Sequence, residues 1–88
     1  METGEGSISF EPKNTNELRH FLETNKDKYH EIWIVLAKKK YVNPQPVSFI
    51  ETVAEAVRHG LMDSRSKSLS ERKYAVRFTE RKSPKPSR

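Results

Sequence analysis

The chain has 88 residues, with 17 Lys and Arg against 12 Asp and Glu, and it contains no cysteine. This length supports one domain with a modest core and is too short for the two-lobed clefts that most enzymes use. The absence of cysteine excludes disulfides, thiolate catalysis and cysteine-based zinc fingers, and it favours a reducing, intracellular setting.

The net charge of +5 is unevenly distributed along the chain. Residues 1–37 hold four Lys and Arg against seven acids, a net −3, whereas residues 38–88 hold thirteen against five, a net +8. The longest apolar run, residues 32–37, is far below the ~20 residues of a membrane span, and the N-terminal residues lack the basic and apolar regions of an export signal. The sequence therefore predicts a cytoplasmic protein without membrane association, whose positive potential belongs to its C-terminal half.

The first two predicted elements are a short strand and a helix. Residues 7–10 alternate polar and apolar side chains, which predicts a strand that Pro12 ends. Asn14 and Glu17 have the spacing of a capping box, and they predict a helix over residues 14–28. The apolar stripe of this helix consists of Leu18, Phe21, Leu22 and Tyr29.

Residues 31–37 predict the central strand of a sheet, because they are rich in β-branched side chains and apolar on both alternating faces. Helices are expected to cover one of these faces, and a long loop or a partner molecule is expected to shield part of the other. Trp33 lies between two isoleucines. It is therefore interpreted as a core residue rather than as a stacking platform for a base or another ligand.

A second helix is predicted over residues 48–59. Ser48 and Glu51 have the capping-box spacing at its beginning. Gly60 ends the helix, because glycine adopts the positive φ of a helix C-terminus without strain. The apolar positions that recur in this helix at helical spacing are Ile50, Val53, Ala54 and Val57.

After Gly60 the period changes to two, which predicts strands over residues 61–69 and 73–81 with a turn between them. The complete order, β-α-β-α-β-β, predicts an α+β two-layer sandwich with both helices on one face of a small mixed or antiparallel sheet. Residues 7–81 are predicted to form this single domain, between a segment, 1–6, and a basic tail, 82–88, that are both predicted to be disordered. In the last strand, Tyr74, Val76 and Phe78 alternate with Lys73, Ala75, Arg77, Thr79 and Arg81, so that one face packs and the other is basic.

Several segments between residues 16 and 83 resemble a known family in their order and spacing. The most specific are Gly-Leu-Met-Asp at residues 60–63 and Arg-Phe-Thr-Glu-Arg-Lys at residues 77–82. They resemble the N-terminal part of the YdeI/OmpD-associated family, which is also labelled bacteriocin-protection protein. The resemblance implies an α+β fold and a non-enzymatic intracellular binding module that acts in stress or bacteriocin resistance through a partner.

Candidate binding residues concentrate in the last two predicted strands and the tail. Arginine offers planar bidentate donors to phosphate, and neutralised charges release counterions, so the basic row predicts contacts to nucleic acid or another polyanion. The competing interpretation is a solvated face whose charge prevents aggregation at the sheet edge. A third hypothesis is a small-molecule binder or enzyme that uses Asp63 with Arg77 and Arg81, although Asp63 is also suited to fixing the corner after the second helix. The full candidate set is Asp63, Arg65, Lys67, Lys73, Arg77, Arg81 and Lys82.

The sequence contains no glycine-rich phosphate loop and no nucleophile elbow, so the protein is predicted not to be an enzyme. His20, His30 and His59 lack the short spacing of a metal motif, and neither a metal nor another cofactor is predicted. The expected partners are an unidentified protein or a polyanion, with nucleic acid as one candidate, and the expected state is a monomer or weak dimer.

Overall fold

The computed structural model describes residues 6–38, 40 and 45–80, and it confirms the α+β architecture and its element order. Arg81, the last residue of the predicted final strand, and the predicted tail, 82–88, which includes Lys82, lie outside the described residues, and so do residues 1–5 of the predicted N-terminal segment. The elements are β1 (Ser7–Phe10), α1 (Thr15–Asn25), β2 (Glu31–Ala37), α2 (Phe49–Arg58), β3 (Leu61–Ser68) and β4 (Lys73–Glu80).

The four strands form one mixed sheet in the order β1-β2-β4-β3. β1 runs parallel to β2, while β4 pairs antiparallel with both β2 and β3. The parallel pair requires a crossover connection, which α1 supplies. β2 and β4 are therefore the central strands, and β1 and β3 are the edges.

The hydrophobic core lies between the two helices and one face of the sheet. Side chains of β2 alternate between buried and partly buried, and the buried set, Ile32, Ile34 and Leu36, faces the helices. The core consists of Leu18, Leu22, Ile32, Ile34, Leu36, Val47, Ala56, Leu61, Val76 and Phe78.

Among the described residues no helix is long and apolar enough to span a membrane.

The ends of α1 differ slightly from the predicted ones. The side chain of Asn14 accepts a hydrogen bond from the backbone N–H of Glu17 at 2.8 Å, as a capping box requires. The Glu17 carboxylate, however, accepts from the backbone N–H of Lys13 rather than that of Asn14. The helix ends at Asn25, before residue 28, because the following residues form a turn in which the N–H of Lys28 donates to the carbonyl of Asn25.

The ends of α2 agree with the prediction. The N–H of Ser48 donates to the Glu51 carboxylate at 2.9 Å, and the N–H of Glu51 donates to the Ser48 hydroxyl at 3.1 Å. Two backbone donors that the helix itself leaves unpaired are thereby satisfied. Gly60 has a φ of +77°, the left-handed conformation expected after the helix end.

The face that α2 buries is not its most apolar face. Val53 packs against the core, but Ile50 is 78% exposed and Val57 is 48% exposed. Thr52 and Glu55 are buried instead. The Thr52 hydroxyl tolerates burial because it donates to the carbonyl four residues earlier at 2.8 Å.

A buried carboxylate joins α2 to α1. Glu55 is only 6% exposed, and its two oxygens accept from Nε and Nη2 of Arg19 at 3.3 and 3.0 Å. The hydrogen bond from Arg19 lowers the pKa of Glu55, and it outweighs the burial that acts in the opposite direction. Arg58 lies 3.9 Å from the same carboxylate and adds to this effect. The bidentate contact makes the burial of this charge acceptable.

We expect Glu55→Gln to lower the free energy of unfolding at pH 7 by about 1–2 kcal/mol, because a charge-assisted contact becomes a neutral one. The pKa of Glu55 is lower in the folded state than in the unfolded state. The ion pair therefore stabilises the protein above the ordinary Glu pKa of about 4.3, and this contribution is lost as the pH falls through the folded-state pKa.

Urea unfolding of wild type and Glu55→Gln at pH 7 and pH 3 tests this prediction, and the difference between them should shrink at pH 3. Glu71→Gln is the matched control, because Glu71 is exposed. A difference between wild type and Glu55→Gln that stays constant with pH would contradict the role of the ion pair.

Candidate binding face of the sheet

The open face is the sheet surface opposite the helices, and it carries most of the candidate residues that the structure describes. Pairing between strands puts directly opposed residues on the same face. One row across all four strands contains Ser9, Trp33, Arg77 and Arg65, in that order. The next row contains Val35, Ala75 and Lys67.

The interpretation of Trp33 as a core residue is wrong. Its two neighbours, Ile32 and Ile34, belong to the core, whereas Trp33 is only partly buried and lies on the open face. The run is apolar on both faces, so its period of two does not indicate which face packs under the helices. The structure selects Ile32 and Ile34 for the core, and alternation then places Trp33 on the opposite side.

Arg77 lies at the centre of the open face and pairs with an acid of β2. Its Nη2 lies 2.7 Å from Oε2 of Glu31, and its Nη1 lies 3.4 Å from the Ser64 hydroxyl. The Arg77 and Glu31 side chains are 27% and 34% exposed. The other carboxylate oxygen of Glu31 accepts from the Trp33 indole N–H at 3.4 Å. Glu31 therefore positions both the guanidinium and the ring.

Acids neutralise part of the predicted basic row. Besides the Arg77 pair, Nζ of Lys73 lies 2.9 Å from the carboxylate of Glu11. Arg65 and Lys67 are exposed and form no ion pair with any residue that the structure describes. The unpaired positive charge of the described open face is therefore on β3 rather than on β4.

A β-bulge separates Asp63 from the arginines. Asp63 pairs with Phe78, whereas Arg65 pairs with Arg77, and the register shifts between the two positions. Ser64 is the extra residue. Strict alternation would place Asp63 and Arg65 on one face, but the bulge leaves Asp63 on the side of Phe78, which is the side of the helices. The structure therefore does not bring Asp63 together with Arg77.

The open face contains a shallow polar groove of about 570 Å³. A smaller cavity of about 220 Å³ adjoins it and shares Trp33 and Lys67 with it. The larger groove combines an indole ring, three cationic side chains and one carboxylate. No histidine or cysteine lines it, so the groove offers binding groups without a nucleophile and base pair. Its lining residues are Glu31, Trp33, Arg65, Ser66, Lys67 and Arg77.

Two acids of the described open face, Glu31 and Glu11, are not among the candidate residues that the sequence predicts. Glu31 stands two residues before Trp33 in the same strand, a spacing that places both side chains on one face. This spacing by itself predicts that Glu31 and Trp33 lie on one face of the strand. The pairing of Glu31 with Arg77 depends on the register between β2 and β4, which the sequence alone does not show.

The chain belongs to the family described as a domain of unknown function (DUF8412), whose model matches residues 10–86. This match covers nearly all of the described domain. No curated protein and no solved structure matches the chain. Nothing in the family match links the chain to the YdeI/OmpD-associated family, so that resemblance stays a prediction.

Arg77→Ala is expected to lower the free energy of unfolding by about 1 kcal/mol, because a partly exposed ion pair contributes no more than this. In urea unfolding, a double-mutant cycle with Glu31→Gln should give a coupling energy of about 1 kcal/mol or less, and 1 M salt should reduce it. The control is Arg65→Ala, which breaks no ion pair and should change stability by less than about 0.5 kcal/mol. A cost of about 3 kcal/mol for Arg77→Ala would indicate a fully buried pair and contradict this prediction.

Proposed function

We propose that the protein is a non-enzymatic binding module whose open face binds the phosphate groups of nucleic acid. The observation that carries this proposal is the groove in which Arg65, Lys67 and Arg77 lie with a single carboxylate, Glu31, among the lining residues. Phosphate is the anion that arginine binds with bidentate geometry. The net charge of +5 on the whole chain adds a long-range attraction to a polyanion.

The contacts of Arg77 support an anionic ligand. Its Nε is buried and has no hydrogen-bond partner among the described residues. An unsatisfied buried donor costs about 1–3 kcal/mol. A phosphate oxygen that reached this Nε would satisfy it, and the contact between Arg77 and Glu31 would be exchanged for one with the phosphate. Glu31 then acts as the internal anion that holds Arg77 in place before the ligand binds.

The shape of the face favours contacts that are indifferent to sequence. Both helices pack on the opposite side of the sheet, so no described helix is available on the open face to enter a major groove. Contacts to phosphate position a nucleic acid without reading its bases. The proposed module therefore binds nucleic acid with an affinity that depends on salt more than on sequence.

A protein partner is a second candidate, which the outer surface of α2 favours. Ile50, Ala54 and Val57 lie at helical spacing on this surface and are exposed. A contiguous apolar helix face is a common binding surface for another protein. The role in stress or bacteriocin resistance that the YdeI/OmpD resemblance implies would use such a surface. Sedimentation of wild type and Ile50→Lys over a concentration series tests the simplest form of this candidate, a weak dimer through α2.

The test of phosphate binding is a titration of labelled single-stranded and duplex oligonucleotides at low and moderate salt. Arg65→Ala and Lys67→Ala should each weaken binding to every sequence tested. Each should also reduce the slope of log K against log salt on duplex DNA by about 0.9, because each removes one phosphate contact. Glu31→Gln should strengthen binding, because it removes the acid that competes with phosphate for Arg77.

Arg58→Ala is the matched control for this titration. It removes one positive charge from α2, on the other side of the sheet, where the Arg58 side chain is 71% exposed. Its effect on the affinity and on the salt slope should be much smaller than that of Arg65→Ala. If the wild-type protein binds no oligonucleotide even at low salt, where electrostatic attraction is strongest, the proposal is wrong.

A further inference from the structure

We infer that the nucleic acid bound by the open face is single-stranded and that one of its bases stacks on the indole ring of Trp33. This inference rests on the proposed function and specifies its ligand. It is carried by one row of residues that places the only tryptophan of the chain beside Arg77 and then Arg65.

Trp33 is held in place before any ligand binds. It lies on a central strand, with β1 on one side and β4 on the other. Its indole N–H donates to Glu31 at 3.4 Å, and its partner residues in the row are Ser9 and Arg77. A ring fixed on a rigid strand loses little conformational freedom when a ligand covers it. Trp33 therefore has the property that a stacking platform needs.

The ring is also accessible. Trp33 contributes to the walls of two cavities of the open face, the larger one with Arg65 and Arg77 and the smaller one with Val35 and Leu69. The core residues beside it in sequence lie on the other face. Trp33 is not part of the core cluster, so a ligand can cover its ring without disturbing the packing under the helices.

The row and its neighbour contain groups that can bind both the base and the phosphate of a nucleotide. Adjacent strands are about 4.8 Å apart, so the Arg77 and Arg65 positions lie about 5 and 10 Å from that of Trp33 along the row. Lys67 lies in the neighbouring row on the same strand as Arg65. A base stacked on the ring therefore has cationic side chains beside it, on β4 and β3. The phosphates of the bound nucleic acid would pass over these cations.

This arrangement favours a single strand over a duplex. Every base has an aromatic face, and stacking on a protein ring tolerates any sequence, but in a duplex the faces are already covered by neighbouring base pairs. A duplex bound to the open face would contact the cations and leave Trp33 unused. A single strand can use the ring and the cations together.

The fluorescence of Trp33 gives a direct test, because the chain has no other tryptophan. The wild-type protein is titrated with oligo-dT, with an abasic strand of the same length and charge, and with a duplex. We expect oligo-dT to quench the fluorescence and to bind about tenfold more tightly than the abasic strand. The duplex should bind with little quenching.

Variants at Trp33 test the same contact with labelled oligonucleotides. Trp33→Leu should weaken binding of oligo-dT about tenfold and leave binding of the abasic strand and the duplex within about twofold. Trp33→Phe keeps an aromatic ring and should retain part of the affinity. Phe49→Leu is the matched control, because Phe49 is an exposed aromatic residue of α2 on the other side of the sheet, and it should change nothing.

The results separate this inference from the proposed function. If oligo-dT, the abasic strand and the duplex bind equally well, base stacking is overturned, while phosphate binding by the open face remains. If none of the three binds at low salt, both are overturned. Should Trp33→Leu fail to fold, the comparison of oligo-dT with the abasic strand on the wild-type protein still decides the question.

Discussion

The pairing of β2 with β4 is the constraint on which both the core and the open face depend. Ile32 lies opposite Phe78 under the helices, and one residue further along Trp33 lies opposite Arg77 on the other face. Side chains alternate with a period of two, so a slip of one residue would exchange the two faces and place a guanidinium under the helices. The packing of Ile32 and Phe78 in the core therefore fixes the position of Trp33 relative to Arg77. Trp33 and Arg77 themselves lie outside the core.

Two local departures from regular structure determine which charges face the groove. The bulge at Ser64 turns Asp63 away from Arg77 and brings Arg65 opposite it. The carboxylate of Glu31 then neutralises Arg77 from the neighbouring strand. As a result, β4 contributes less unpaired positive charge than its composition indicates, because acids of other strands and loops pair with its cations. Most of the unpaired positive charge of the described open face comes from the edge strand β3.

The helix layer buries a charged residue, whereas the core face of the sheet is apolar. α2 buries Glu55, whose carboxylate accepts from two donors of Arg19 of α1, while Ile50 and Val57 lie on the outer surface. The buried face of α2 therefore contains Thr52 and Glu55, whose polar groups are satisfied by hydrogen bonds. The domain consequently presents two surfaces of different chemistry, a cationic and aromatic one on the sheet and an apolar one on α2.

The sequence by itself determined the α+β class, the order of the elements and their approximate ends, because capping residues, Gly60 and the change of period act locally along the chain. It also grouped Arg77 with the open face through alternation. Only the tertiary structure decided that Trp33 lies outside the core, that Glu31 pairs with Arg77 and that Asp63 is turned away. These features depend on which face of an apolar strand packs under the helices and on the register between strands, and both are set by contacts between residues far apart in the chain.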